Sequence, residues 1–149
     1  MRTAWTYPHR DLGEPALPDG TRVRRPTVPL QIGSFSEDLL AVVDSGSPIS
    51  VADAQLFKWL GVDLAKSTPV YEVPLGLASG FGTVPVFEVR LSLRPPGGVT
   101  DEPASWTLHL GARANWRLPF AVLFGQRGWF DQFPTTIDSS TTTVVVAAQ

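Results

Sequence analysis

The chain has 149 residues, 43% hydrophobic and 17% charged, with a formal net charge of −2 and no cysteine. This balance describes one globular domain with a real core, and it excludes a disordered chain, a disulfide scaffold and a thiolate metal site. It gives no electrostatic case for nucleic acid. No run approaches membrane-spanning length, and Met1-Arg2-Thr3-Ala4-Trp5 lacks the apolar core of a signal peptide, so a cytoplasmic location is the default expectation.

Thirteen glycines and fourteen prolines, spread along the chain, favour short strands and turns over long helices. Residues 1–20 are rich in proline and charge and read as a segment wrapped on the surface. The division is a leading segment, 1–26, and a domain, 27–149. Arg22, Arg24 and Arg25 cluster there, in the manner of a solvated strand edge. Residues 27–32 read as a strand that Pro29 assigns to an edge. Residues 33–38 are a hairpin turn, and 39–43 a buried strand. Asp53 caps a short helix over 54–60, closed by Gly61, with Leu56, Phe57 and Leu60 on its packed face.

A long hairpin follows: 70–75 rises, 76–82 turns and 83–93 returns. Phe87, Val89, Leu91 and Leu93 alternate with Glu88, Arg90 and Ser92, the period of a half-buried strand. Its turn, Gly76-Leu77-Ala78-Ser79-Gly80-Phe81-Gly82, reads on its own as a flexible tip. Residues 94–105 are a loop broken by Pro95-Pro96-Gly97-Gly98. Trp106, Leu108 and Leu110 mark another strand, 117–124 a further one, and 135–138 and 141–147 a closing hairpin around Ser139-Ser140. The sum is an all-β, barrel-like domain with one or two short helices.

Chemistry concentrates after the strand at 39–43, where Leu39-Leu40-Ala41-Val42-Val43 passes into Asp44-Ser45-Gly46-Ser47. A strand interior has no use for an unpaired carboxylate. The switch marks a strand ending at a working site, although Asp-Ser-Gly is also a good plain turn in which the aspartate bonds its own backbone. A second apolar strand, Phe120-Ala121-Val122-Leu123-Phe124, ends in Gly125 and leads into an aromatic segment containing Trp129, Phe130 and Phe133.

These two motifs together resemble the retropepsin-like aspartic proteases, in which an apolar pair precedes Asp-Thr/Ser-Gly-Ala/Ser and a distal apolar-apolar-Gly leads into a short helix. The resemblance runs from about residue 29 to 137 and is nearest to the bacterial single-lobe members. It implies a closed acid-protease lobe with Asp44 catalytic, Ser45, Gly46 and Ser47 supporting its loop, and Leu123, Phe124 and Gly125 as the distal motif. It also implies that the tip with Gly80, Phe81 and Gly82 is a flap closing over bound peptide. An apolar flap and aromatic walls imply apolar side chains beside the cut bond.

Peptide hydrolysis by carboxylates needs two of them, one ionised and one protonated. The shared proton of an aspartic protease dyad is a standard example of this coupling. The motif occurs once here. Asp138-Ser139-Ser140 lacks the glycine and reads as a hairpin turn. The expectation is therefore a homodimer in which two copies of Asp44 form one site, acting on a peptide or protein without metal or organic cofactor, and at mildly acidic pH. The run 141–146 has the β-branched composition of a strand shared between subunits, and serves equally as an internal strand.

One departure stands out. Viral members commonly carry an aspartate two residues after the glycine and an arginine after the distal glycine. Pro48 and Gln126 stand there, with Arg127 one step late. The rival from another class is a catalytically silent dimerisation or peptide-binding domain. A serine-nucleophile reading would use Ser45, but only His9 precedes the motif as a base, and Val43 stands where a glycine is wanted. His109 sits in no metal-ligand spacing.

Overall fold

Alternating side chains make residues 83–113 the framework of the chain. In β6 (Thr83–Leu93) and β7 (Ala104–Arg113), Val89, Leu91, Leu93, Trp106, Leu108 and Leu110 are buried while Glu88, Arg90 and Thr107 face solvent. The two strands pair antiparallel from Val86↔Gly111 to Leu93↔Ala104. The computed structural model describes residues 3–33, 39–74 and 82–148.

Around this pair lie β2 (Thr27–Gln31), β3 (Leu39–Val43), β4 (Val51–Asp53), β5 (Tyr71–Pro74) and β8 (Val122–Phe124). The sheet order is β2-β3-β8-β4-β7-β6-β5, and a second pairing of β2 with β6 closes six of these strands into a barrel, with β5 outside it. Val28, Leu30, Ala41, Val43, Val122 and Phe124 are buried in the barrel strands.

Closure revises the expectation for Pro29. β2 is not an edge strand: Leu30 and Gln31 pair with Leu93 and Ser92. Pro29 is tolerated because its carbonyl, and with it the side that lacks an N–H, faces Arg94, whose N–H donates to it at 3.0 Å just beyond the β6 ladder.

The helix at Ala54–Leu60 is a 3-10 helix. Asp53 Oδ1 accepts the Gln55 N–H at 3.0 Å, Gly61 closes it at φ 80°, and Leu56 and Phe57 are buried beneath it. Phe57 meets Phe87 edge-on at 5.7 Å.

A separate three-stranded sheet, ordered β1-β10-β9, joins the chain ends: β1 (Thr3–Pro8), β9 (Thr135–Asp138) and β10 (Thr143–Ala148). β1 is a strand that the proline-rich, charged composition of the leading segment concealed. Its Trp5 and Tyr7 are 4% and 3% exposed, and the Tyr7 hydroxyl donates to the Arg94 carbonyl at 2.6 Å. β10 is flanked by β1 from Thr3↔Ala148 to Pro8↔Thr143 and by β9 on its other side, so it is an internal strand of the protomer.

Two further expectations are corrected. Residues 117–121 belong to no strand, since β8 begins at Val122. No helix follows Gly125: residues 126–133 form turns closed by bonds such as Asp131 N–H to the Gln126 carbonyl, 3.1 Å, and Phe133 N–H to the Trp129 carbonyl, 2.8 Å. Among the described residues no helix is long and apolar enough to cross a membrane.

Candidate active site

The two sequence motifs meet because their strands are parallel neighbours. β3 and β8 pair in register from Ala41↔Val122 to Val43↔Phe124, so Asp44 and Gly125 leave the sheet side by side. The Asp44 N–H donates to the Phe124 carbonyl at 2.8 Å. β4 takes the opposite flank of β8, so the loop 44–50 must cross over the strand that exits at Gly125.

That crossing explains the distal glycine. The Gln126 N–H donates to the Ser47 carbonyl at 2.8 Å and the Arg127 N–H to the Pro48 carbonyl at 3.1 Å. A Cβ on Gly125 would lie 2.3 Å from the Ile49 carbonyl oxygen and 2.5 Å from that of Ser47. Backbone occupies the place of any side chain, which is a close-approach requirement for glycine.

Ser50 is the residue that motif reading missed. It is 1% exposed; its Oγ accepts the Gly125 N–H at 3.0 Å and donates to the Arg127 carbonyl at 2.8 Å. One hydroxyl thus ties both loops together. The signal available in sequence was a small polar residue just before an apolar strand, which is common to many turns.

Asp44 and Ser45 are exposed at the surface of this assembly, and so is Gly46. Asp44 Oδ1 accepts the Gly46 N–H at 2.9 Å, an Asx-type turn that fixes the direction of the side chain. Thus the plain turn geometry and an exposed carboxylate coexist. Ser47 Oγ donates to the Ile49 carbonyl at 2.7 Å, so within one chain it braces the loop and not the carboxylate. The side-chain amide of Gln126 donates to the Ser45 carbonyl at 2.7 Å. At the position of the usual arginine, this chain therefore has a neutral cross-loop tie. Among the described residues Arg127 makes no salt bridge.

Leu123 is half-buried, and Phe124 is fully buried. The aromatic segment expected to line walls beside the site lies largely in the core: Trp129 is 0% and Phe133 5% exposed. Phe124 stacks on Trp129 at 4.8 Å, Trp106 meets Phe133 edge-on at 4.9 Å, and Trp106 Nε1 donates to the Gly128 carbonyl at 2.9 Å. The cluster fixes the distal loop from below. Gly82 is exposed, whereas Gly80 and Phe81 lie outside the described residues.

Other candidates are drawn elsewhere. Asp138 caps the β9–β10 turn, where its Oδ1 accepts Ser140 Oγ at 2.6 Å and Ser140 N–H at 2.9 Å; the Ser140 hydroxyl leads in holding its carboxyl below the usual range. His9, just past the end of β1, is buried with Nε2 on the Thr143 carbonyl at 3.1 Å. It is engaged as a structural group. His109 packs edge-on against Tyr71 at 5.4 Å. Among the described residues no group of His, Cys, Asp and Glu is arranged to hold a metal ion.

The N-terminal segment reaches this site through Pro26, whose carbonyl accepts the Val43 N–H at 2.9 Å. The preceding Arg25 makes a two-pronged bond to Glu14, Nε and Nη2 each at 2.8 Å. That bond lowers the Glu14 carboxyl below its ordinary range and raises Arg25 above its own, with a further contribution to Arg25 from the Asp44 carboxylate.

A closed barrel carrying an Asp-Ser-Gly loop crossed over a buried distal glycine defines a nearly all-β protein with a retropepsin-like single-lobe fold. The crystal structure of a retropepsin-like aspartic protease from Rickettsia conorii matches it with a TM-score of 0.54 at 14% identity, over 98% of this chain and 92% of that one. No family model and no curated protein matches the sequence.

Proposed function

We propose that this protein is an aspartic endopeptidase acting as a homodimer, its dyad made of Asp44 and Asp44 of the partner subunit. The observation that carries this reading is the exposed Asp44 carboxylate, bonded to the Gly46 N–H at the end of a strand held in parallel register beside Phe124 and Gly125. Its setting in a retropepsin-like fold supports the reading further.

One carboxylate per chain is half of the chemistry. In the dimer, the ionised Asp44 takes a proton from a water whose oxygen attacks the peptide carbonyl carbon. The protonated Asp44 of the partner subunit gives its proton to the carbonyl oxygen. The resulting tetrahedral diol collapses as Asp44 passes the proton it took to the nitrogen, one diol hydroxyl returns a proton to Asp44 of the partner subunit, and the C–N bond breaks, leaving a carboxylic acid, an amine and the singly protonated pair. Two like carboxyls in contact hold one proton between them over a window of mildly acidic pH, so the rate is bell-shaped. Ser45, Gly46 and Ser47 hold the loop, and Leu123, Phe124 and Gly125 support it.

The test is digestion of a diverse peptide mixture between pH 4 and 7, read by mass spectrometry, with wild type and Asp44→Asn at several protein concentrations. Cuts absent from the variant and falling steeply on dilution are the expected result. Cuts that persist in Asp44→Asn would overturn the assignment, and a dimer that makes no cuts would instead be a silent binding domain.

A further inference from the structure

We infer that the cavity between β7 and the turns after Gly125 is a binding site for a small zwitterion of the amino-acid type, an ammonium and a carboxylate a few bonds apart. Its occupancy is felt at the Ser50 hydroxyl that ties the Asp44 loop to those turns. The site stands whether or not Asp44 is catalytic.

The cavity encloses about 350 Å³, at the small end of ligand sites. Thr107 and His109 of β7 line it, with Arg127, Asp131 and Gln132 of the distal turns; Leu108 and Gly128, both buried, complete the wall. Elsewhere in the chain Arg22 and Arg25 each grip a carboxylate through two bonds. Arg127 and Asp131 line one cavity, yet no salt bridge joins them. Asp131 is anchored by Oδ1, which accepts the Gly128 N–H at 2.9 Å, and by its own N–H on the Gln126 carbonyl at 3.1 Å. Among the described residues its second carboxylate oxygen bonds nothing.

Both signs of charge surround the cavity. A lone anion would meet Asp131 and also Glu88, which stands opposite His109 in the β6–β7 register. A lone cation would meet Arg127 and also Arg90, opposite Thr107. A ligand carrying both charges satisfies the pair at once: its carboxylate takes the planar fork of Arg127, and its ammonium takes the second oxygen of Asp131. Thr107, His109 and Gln132 remain for its other polar atoms. Free amino acids and dipeptides share this chemistry and differ in the spacing of their charges.

Gly128 connects the cavity to the Asp44 loop. Its φ is 107°, and a Cβ there would lie 2.7 Å from Ser50 Oγ and 3.3 Å from Leu108 Cδ1, so the wall of the cavity rests on the serine. Arg127 is bonded to the same loop from both sides of its backbone: its N–H donates to the Pro48 carbonyl, and its carbonyl accepts Ser50 Oγ. A ligand that holds the Arg127 side chain therefore restrains the turn that Ser50 fastens to Gly125.

The experiment titrates 15N-labelled protein at neutral pH with glycine, and separately with glycylglycine, acetate and methylammonium. Each is taken to about 50 mM, enough to fill a millimolar site. Saturable shifts of the Arg127, Gly128 and Gln132 amides are expected with a zwitterion; tighter binding of glycine marks an amino-acid site, and of glycylglycine a dipeptide site. Arg127→Gln and Asp131→Asn leave the backbone bonds of the turns in place and should each weaken binding about tenfold, the size of one charge-assisted bond. Acetate and methylammonium should bind as weakly as the zwitterion binds the variants. Amide exchange at Gly125 should slow at saturation in wild type but not in Arg127→Gln. No saturable shift with either zwitterion, equal affinity in wild type and both variants, or acetate matching the zwitterions would overturn the site. Unchanged Gly125 exchange at saturation would overturn its link to Ser50.

Discussion

Ser50 and Gly125 meet across 75 positions of sequence, the glycine N–H donating to the serine Oγ at 3.0 Å inside the protein. The same oxygen donates onward to Arg127, so the loop that carries Asp44 and the turn behind it are held by one buried hydroxyl.

Ser50→Ala strips the partner from a buried N–H and from a carbonyl at once. Leaving such groups unsatisfied costs about 2 kcal/mol, and urea unfolding should record a loss of that size. If the hydroxyl is as central as its bonds make it, Asp44-dependent cleavage should fall more than folding does. Unchanged stability would mean that the loops are held by something else.

Gly125→Ala is a test of close approach. With the Ile49 carbonyl 2.3 Å from the new Cβ, backbone must move, and overpacking of this kind costs about 3 kcal/mol. Gly46→Ala should be milder, because its Cβ would meet the Asp44 Oδ1 at 3.2 Å. Comparing melting temperatures of the two variants checks the ranking.

Gly61→Ala tests the left-handed cap of the 3-10 helix. Nothing lies within 4 Å of the added methyl, so the loss of about 1 kcal/mol comes from the positive φ alone. Gly82→Ala, with equally open space and no positive φ, is the control that should melt like wild type.

The Arg22–Asp11 ion pair of the N-terminal segment has an acid limit. The Arg22 hydrogen bond is the main reason that Asp11 is lowered from 3.8 to about 2. A carboxyl depressed in the folded state stabilises it above its unfolded value, and that contribution disappears as pH falls from 3.8 through about 2. Amide exchange at Arg10 and Arg25, whose backbones pair across this segment, should therefore be slower in wild type than in Asp11→Asn at pH 5. Below about pH 2 the two should converge. High salt should narrow the gap at pH 5, since the pair is exposed.

Several elements were legible locally. Alternation marked β6 and β7, and Asp53 with Gly61 marked the two ends of the short helix. β1 was not legible: Pro8 and its charged, proline-rich continuation outweighed Trp5 and Tyr7, whose burial depends on β10 at the far end of the chain. Residues 117–120 belong to no ladder, and the bonds to the neighbouring strands begin only at Ala121, whose N–H donates to the Leu40 carbonyl at 2.9 Å. The family resemblance implied a helix after Gly125, yet the rings of that segment serve Trp106 and Phe124, and turns deliver them to that cluster.

By itself, the sequence determined the all-β character and the site of the only Asp-Ser-Gly motif, because side-chain period and turn chemistry are local properties of the chain. Tertiary structure decided what surrounds that motif. Parallel register brought Asp44 beside Gly125, crossing loops made glycine obligatory there, Ser50 became the tie, and the N-terminal arm brought Pro26 onto Val43. Each depends on partners brought together only when the barrel closes, and local pattern specifies which face a residue takes but not what will meet it there.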